Sequence, residues 1–265
     1  MTNNIEIPIT FILSTGRTGT QFFSSYLTES CHDILCLHEP KPSRRFKWYS
    51  NFYLNQKISS AFVARQFLKS RQNVLKRTDY SHYVESSNFM FGNMPAIEQV
   101  ASELSVIHLV REPLSYIRSH LNKGFWSGIK GFTARNIPGW LEFLDPEIRK
   151  SGDPVLILAA RWIYVNRIIG SYQQKYPYLN IRFEDLFNAD IKTGIESLNT
   201  IREFLQCPGL TDNQQKYWLG QRENQSPKMR ASQYPVESKH IKYLQDHGKE
   251  LLDLYNYKLE DAEMA

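Results

Sequence analysis

Gly16 and Gly19 flank Arg17 in the run Thr15-Gly16-Arg17-Thr18-Gly19-Thr20-Gln21, directly behind the apolar residues Phe11-Ile12-Leu13. Two glycines at this spacing can take backbone angles closed to other residues, so successive N–H groups can converge on one anion. Arg17 adds a permanent positive charge, and a helix starting at Thr20 would add the positive end of its dipole. Buried strand, short turn and helix start together suit a phosphate cradle, although a lone glycine-rich turn is also how plain strand-to-helix connections are made. The run is not a Walker loop, because no Lys followed by Ser or Thr stands here to hold a triphosphate and its magnesium.

A second pair that could bind an anion is Arg111 and Ser119, eight positions apart. Arg111 closes the apolar run 106–110, Pro113 suits the first turn of a helix, and Ser119 lies two turns further along it. The plain alternative for Arg111 is an ion pair with Glu112 at the helix start. For proton transfer the candidate is Glu39, in His38-Glu39-Pro40-Lys41-Pro42, where Pro40 directs it to an extended or turn conformation. His38 and Glu85 are the other candidates for that role.

The loop from Thr15 to Gln21, the Arg111–Ser119 pair and the segment Arg182-Phe183-Glu184-Asp185-Leu186-Phe187 occur in the order and spacing that resembles sulfotransferases using 3′-phosphoadenosine-5′-phosphosulfate (PAPS). The resemblance covers residues 11 to about 187. It implies a three-layer α/β/α fold around a parallel sheet with P-loop-like topology. It also implies that Thr15, Gly16, Arg17, Thr18, Gly19, Thr20 and Gln21 hold the 5′-phosphosulfate, that Arg111 and Ser119 share the 3′-phosphate, and that no metal is needed. Lys228 and Arg230 would be the basic loop that closes over the 3′-phosphate, within a segment 206–237 expected to be mostly loop.

One departure matters for the chemistry. Aryl and steroid members of that family use a His in a Lys-Thr-His-type segment after a central strand, and the nearest residues here are Glu85-Ser86-Ser87-Asn88. Carbohydrate and protein-tyrosine members use a Glu, in several of them just after the second strand, where Glu39 stands. The resemblance therefore implies Glu39 as base and Arg17 as the charge at the transferred group. Two competing classes share the strand, loop and helix: a small-molecule kinase, and a nucleotide-binding regulatory protein without turnover.

The elements needed to position these residues can be read along the chain. Helices are expected at 20–29, within 43–76, at 94–104, from Pro113, at 154–172, up to about 205 and at 240–255, with strands at 11–13, 34–37, around 80–87, 106–110 and 179–183. Strands alternating with helices predict a parallel sheet in one domain spanning 1–265. Residues 122–150, rich in Gly, Pro and Trp, are expected to form an acceptor-facing loop region. Glu184 and Asp185 suit helix capping or pairing with a base.

Composition fits this picture without choosing an acceptor. The 265 residues carry a formal net charge of +5 and a pI near 9.0, which favours anionic partners such as a nucleotide. The basic residues are spread out, so nucleic acid is not the expected partner. Their one cluster, Lys41, Arg44, Arg45 and Lys47, reads as a solvated face, with Phe46 and Trp48 suited to a ring-bearing acceptor. Residues 41–48 are also expected, with the loop 122–150, to shape the acceptor pocket, where a sugar, a lipid headgroup or a phenol would fit equally. Cys31, Cys36 and Cys207 lack zinc-type spacing and read as reduced thiols. The N-terminus lacks a basic start and apolar core, and Arg161 interrupts the longest apolar stretch, so no membrane span and a cytoplasmic location are expected. Nothing in the sequence bears on oligomeric state.

Overall fold

Alternation of side chains between the two faces of the first strand organises the sheet. In the computed structural model, which describes residues 5–77, 79–123, 141, 143–187, 190–221 and 233–259, β1 (Ile9–Ser14) is buried at every position. Phe11 and Leu13 join one apolar cluster with Phe67, Val106, Val165 and Ile169, while Ile12 joins another with Phe22, Leu27, Ile107 and Leu198. A strand covered on both sides must lie between two helical layers. This is the expected three-layer α/β arrangement.

Among the described residues β1 pairs in parallel with β3 (His82–Ser86) and β4 (Leu104–Val110), and β2 (Ile34–His38) and β5 (Tyr178–Arg182) form the edges. The order is β2-β3-β1-β4-β5. The chain thus leaves β1 in both directions across the sheet, and such a reversal opens a crevice at the C-terminal strand ends where open α/β sheets bind ligands. α1 (Thr20–Ser30) follows β1, α2 (Ser43–Leu54) and α3 (Ser60–Leu75) join β2 to β3, and α4 (Met94–Ile97) precedes β4. α5 (Pro113–Asn122) follows β4, and α6 (Pro146–Lys150) leads to the long α7 (Pro154–Ser171). β5 then runs into α8 (Phe183–Phe187), and α9 (Ile191–Phe204), α10 (Asp212–Gly220) and α11 (Ser238–Leu254) complete the described chain.

Four local expectations change. The helix at 94–104 stops at Ile97, because the backbone beyond it is drawn to the N-terminal segment: Ile5 N–H donates to the Val100 carbonyl at 2.6 Å and Ile9 N–H to that of Glu103 at 3.0 Å. The segment 206–237 contains α10, a polar sequence started by a reciprocal Thr211–Gln214 capping box and anchored by Trp218 and Leu219 against the apolar cluster around Ile12. Phe46 is wholly buried, 6.2 Å from the Phe67 ring, so it serves the core and not an acceptor. Lys41, Arg44 and Arg45 are exposed as expected, but Lys47 is half-buried. No described helix is long and apolar enough to cross a membrane.

Candidate active site

The turn after β1 has three residues in the left-handed region: Gly16 at φ 90°, Arg17 at 61° and Gly19 at 74°. Both glycines are also required by close approach. A Cβ on Gly16 would lie 2.7 Å from Asn88 Nδ2, and one on Gly19 would lie 2.6 Å from the Phe187 ring. The turn is fixed from beneath by Arg161, the charge inside α7, whose Nη1 donates to the Thr15 carbonyl at 2.7 Å and to the Tyr116 hydroxyl at 2.5 Å.

The strand end at β4 meets this turn. Arg111 Nη1 donates to the Arg17 carbonyl at 2.6 Å, and Arg17 Nε donates to Ser119 Oγ at 3.2 Å. The structure thus brings together Arg17, Arg111 and Ser119, which sequence reasoning singled out separately. The Arg111 guanidinium lies 4.2 Å from the centre of the Phe183 ring, a cation–π stack that fixes its plane. Glu112 caps α5 by accepting from Leu114 N–H at 2.8 Å and Ser115 N–H at 2.5 Å. Glu184 accepts from Glu112 N–H at 3.1 Å and from the Tyr257 hydroxyl at 2.8 Å, which ties the ends of β4 and β5 together. Asp185 lies 3.8 Å from Arg182.

Burial draws the pKa of both Arg17 and Arg111 below the ordinary guanidinium value, and both remain cationic at any working pH. Around the same turn, Thr15 Oγ1, Thr18 Oγ1 and Arg111 Nε are buried without a hydrogen-bond partner among the described residues. Orphaned buried donors of this kind are uncommon in native proteins. Here they cluster where an anion with several oxygens would satisfy them.

Across the crevice, Glu39 directly follows β2. Its N–H donates to the Ser86 carbonyl at 3.0 Å, and its φ of 43° is left-handed, so of the extended and turn conformations expected before Pro40 it takes the turn. The turn that follows is pinned by Arg71 of α3, which donates to the Lys41 carbonyl at 3.3 Å and to Ser43 Oγ at 3.2 Å. Burial raises the Glu39 carboxyl above its ordinary pKa, opposed by an N–H of Asn88 and by Arg44. Lys47 stands near it, its pKa pushed well down by burial and by Arg161 and partly restored by Glu39.

The other two candidate bases have different surroundings. Glu85 is fully buried, held by Arg71 through two bonds of 2.7 Å and by the Tyr83 hydroxyl at 2.8 Å. His38 Nδ1 lies 3.0 Å from Ser86 Oγ, which donates its own proton to the Thr20 carbonyl. Ser86 must therefore accept from His38 Nδ1–H, leaving Nε2 as the basic nitrogen of a ring whose pKa burial lowers. Lys228 and Arg230, and residues 124–140 of the expected acceptor-facing loop, lie outside the described residues.

No family model and no curated protein matches the sequence. Solved structures do match. Sulfotransferase STF9 from Mycobacterium avium superposes with a TM-score of 0.60 at 14% identity, over 97% of this chain and 79% of that one. The sulfotransferase domain from the curacin biosynthetic pathway gives 0.51 at 15% identity, over 96% of this chain and 100% of that one. The fold is a sulfotransferase fold. On it the candidate donor cradle and Glu39 lie along the C-terminal end of the sheet, contributed by the ends of β1, β2 and β4.

Sequence reasoning gave no site role to Arg161, Arg71 and Asn88, and it named Lys47 only within the cluster 41–48. Only Arg161 left a signal, as a charge within an otherwise apolar helix. The others depend on which elements meet at the C-terminal end of the sheet.

Proposed function

We propose that the protein transfers a sulfuryl group from PAPS to a hydroxyl or amine of a small-molecule, carbohydrate or lipid-headgroup acceptor. The observation that carries this reading is the Arg111–Arg17–Ser119 contact chain across the mouth of the left-handed turn, surrounded by buried unpartnered donors. The residues fit such a donor. Thr15, Gly16, Thr18, Gly19, Thr20 and Gln21 offer N–H and hydroxyl groups to the 5′-phosphosulfate, and Arg111 and Ser119 serve the 3′-phosphate. Lys228 and Arg230 complete the proposed donor set.

PAPS supplies a sulfuryl group on a phosphate leaving group. Arg17 sits where charge grows on the bridging oxygen as the sulfur–oxygen bond breaks, and fixed charge at that place lowers the barrier. Glu39 takes the acceptor proton, and burial brings its carboxyl nearer to working pH, where a base is more effective. Arg161 and Arg71 hold the loop and the Glu39 turn in register, so the attacking oxygen and leaving group can lie in line.

The test is thermal shift with adenosine 3′,5′-bisphosphate against ATP plus magnesium, followed by a screen of hydroxylated acceptors with labelled PAPS. Stabilisation by the bisphosphate and labelled product support the reading. Preference for ATP plus magnesium supports a kinase, and binding without turnover supports a regulatory protein.

A further inference from the structure

His120 follows Ser119 on α5, and the reaction described above gives it no task. Its Nε2 is buried and has no hydrogen-bond partner among the described residues. The ring packs on Tyr116 at 4.5 Å between centroids, and the Tyr116 hydroxyl is itself held by Arg161. Cations from four further elements act on it electrostatically: Arg161 of α7, Arg17 of the turn, Lys47 of α2 and Arg111 at the end of β4. A polar ring nitrogen has thus been placed, buried and unsatisfied among the described residues, within the field of the positive cluster that the donor would enter.

We propose that His120 is a donor-binding group that takes up one proton from solvent as the anionic donor binds, so that donor capture is coupled to protonation. The proposal rests on the PAPS reading. Without a ligand, burial and then the four cations hold the imidazole neutral, with its pKa well below 6.5. Phosphate and sulfate oxygens beside Arg17 and Arg111 reverse the sign of the local field. The protonated ring then becomes the favoured form, and Nε2–H can donate to a ligand oxygen. No covalent bond changes, and the proton returns to solvent when the product nucleotide leaves.

The sign of the linkage follows. The bound state carries more protons than the free state, so affinity strengthens as pH falls from the bound-state pKa toward the free-state pKa. Between those values the contribution of His120 approaches about tenfold in affinity per pH unit.

The experiment is calorimetric titration of the whole protein and of His120→Gln with adenosine 3′,5′-bisphosphate near pH ~6.5, each in two buffers of different ionisation enthalpy. Proton changes on the ligand's own phosphates are common to both proteins and cancel in the comparison. Wild type should take up a larger fraction of a proton per ligand than His120→Gln. Equal uptake by the two overturns the His120 assignment and leaves the donor reading standing, whereas absence of wild-type binding overturns both. Should His120→Gln fail to fold, the ring resonances of wild-type His120 decide: a switch from neutral to protonated on adding the bisphosphate supports the proposal, and a ring that stays neutral overturns it.

Discussion

Arg17 Nε donates to Ser119 Oγ across a sequence separation of 102 residues, so the turn after β1 and the helix after β4 share a charged contact at the mouth of the crevice. In the proposed reaction this contact joins the two anionic ends of one ligand. Arg17→Ala should lower turnover by a factor of about 10² or more, the scale for losing one charge contact made at the transition state. Steady-state kinetics with labelled PAPS measures it, and an unchanged kcat would remove the turn from the mechanism.

Arg111 differs from Arg17 in being locked by a stack on Phe183 and a bond to the Arg17 carbonyl. Its proposed partner is the 3′-phosphate alone. Arg111→Ala should therefore weaken adenosine 3′,5′-bisphosphate by about tenfold or more, the scale of a hydrogen bond to a charged group, and adenosine 5′-phosphate much less. Equal losses for the two nucleotides in a binding titration would contradict that division.

The parts of this site that were legible in the sequence are those whose meaning is local. Phe11-Ile12-Leu13 followed by two glycines specifies strand and turn without reference to the rest of the chain, and Arg111 with Pro113 marks a strand-to-helix junction in the same way. Lys47 shows why reading stopped there. On α2 the residues Ser43, Phe46 and Ser50 form the buried stripe, Arg44 and Arg45 face solvent, and Lys47 falls at the boundary, where the crevice makes it half-buried. The pattern within 41–48 suits a solvated face and an acceptor pocket alike, and only tertiary placement separates Lys47 from Arg44 and Arg45. Helix α10 was illegible for the opposite reason: its sequence is mostly polar, and tertiary anchoring of Trp218 and Leu219 outweighs its weak periodicity.

Gly19 combines a φ of 74° with the Phe187 ring at the place of a Cβ. Gly19→Ala should therefore destabilise the fold and impair bisphosphate binding. Adding Phe187→Ala should recover part of the stability, because it removes the clash and leaves the backbone strain. Chemical denaturation of the single and double variants tests this, and a double variant no more stable than Gly19→Ala would refute the clash.

The Arg71–Glu85 pair is wholly buried and positions the Glu39 turn through Lys41 and Ser43. Arg71→Met leaves the Glu85 carboxylate buried without its partner and should cost about 3–5 kcal/mol in urea unfolding. Adding Glu85→Leu should recover part of that loss, because no uncompensated charge remains. A double variant as unstable as Arg71→Met would show that packing dominates over the ion pair.

Glu39 is raised above its ordinary pKa chiefly by burial, with a smaller push from Glu85 and opposing pulls from the Asn88 N–H, Arg44 and Lys47. As the base it must be ionised, so kcat/KM should fall as pH drops through this raised value and reach a plateau above it. Glu39→Gln keeps the shape, and should lower turnover by about 10² to 10⁴ and remove that acid limb, with bisphosphate binding nearly unchanged. Arg44→Ala removes a cation that favours the carboxylate, and should move the limb to higher pH. If Glu39→Gln remains active and His38→Asn does not, the proton goes to His38 Nε2, the nitrogen left basic by the hydrogen bond to Ser86.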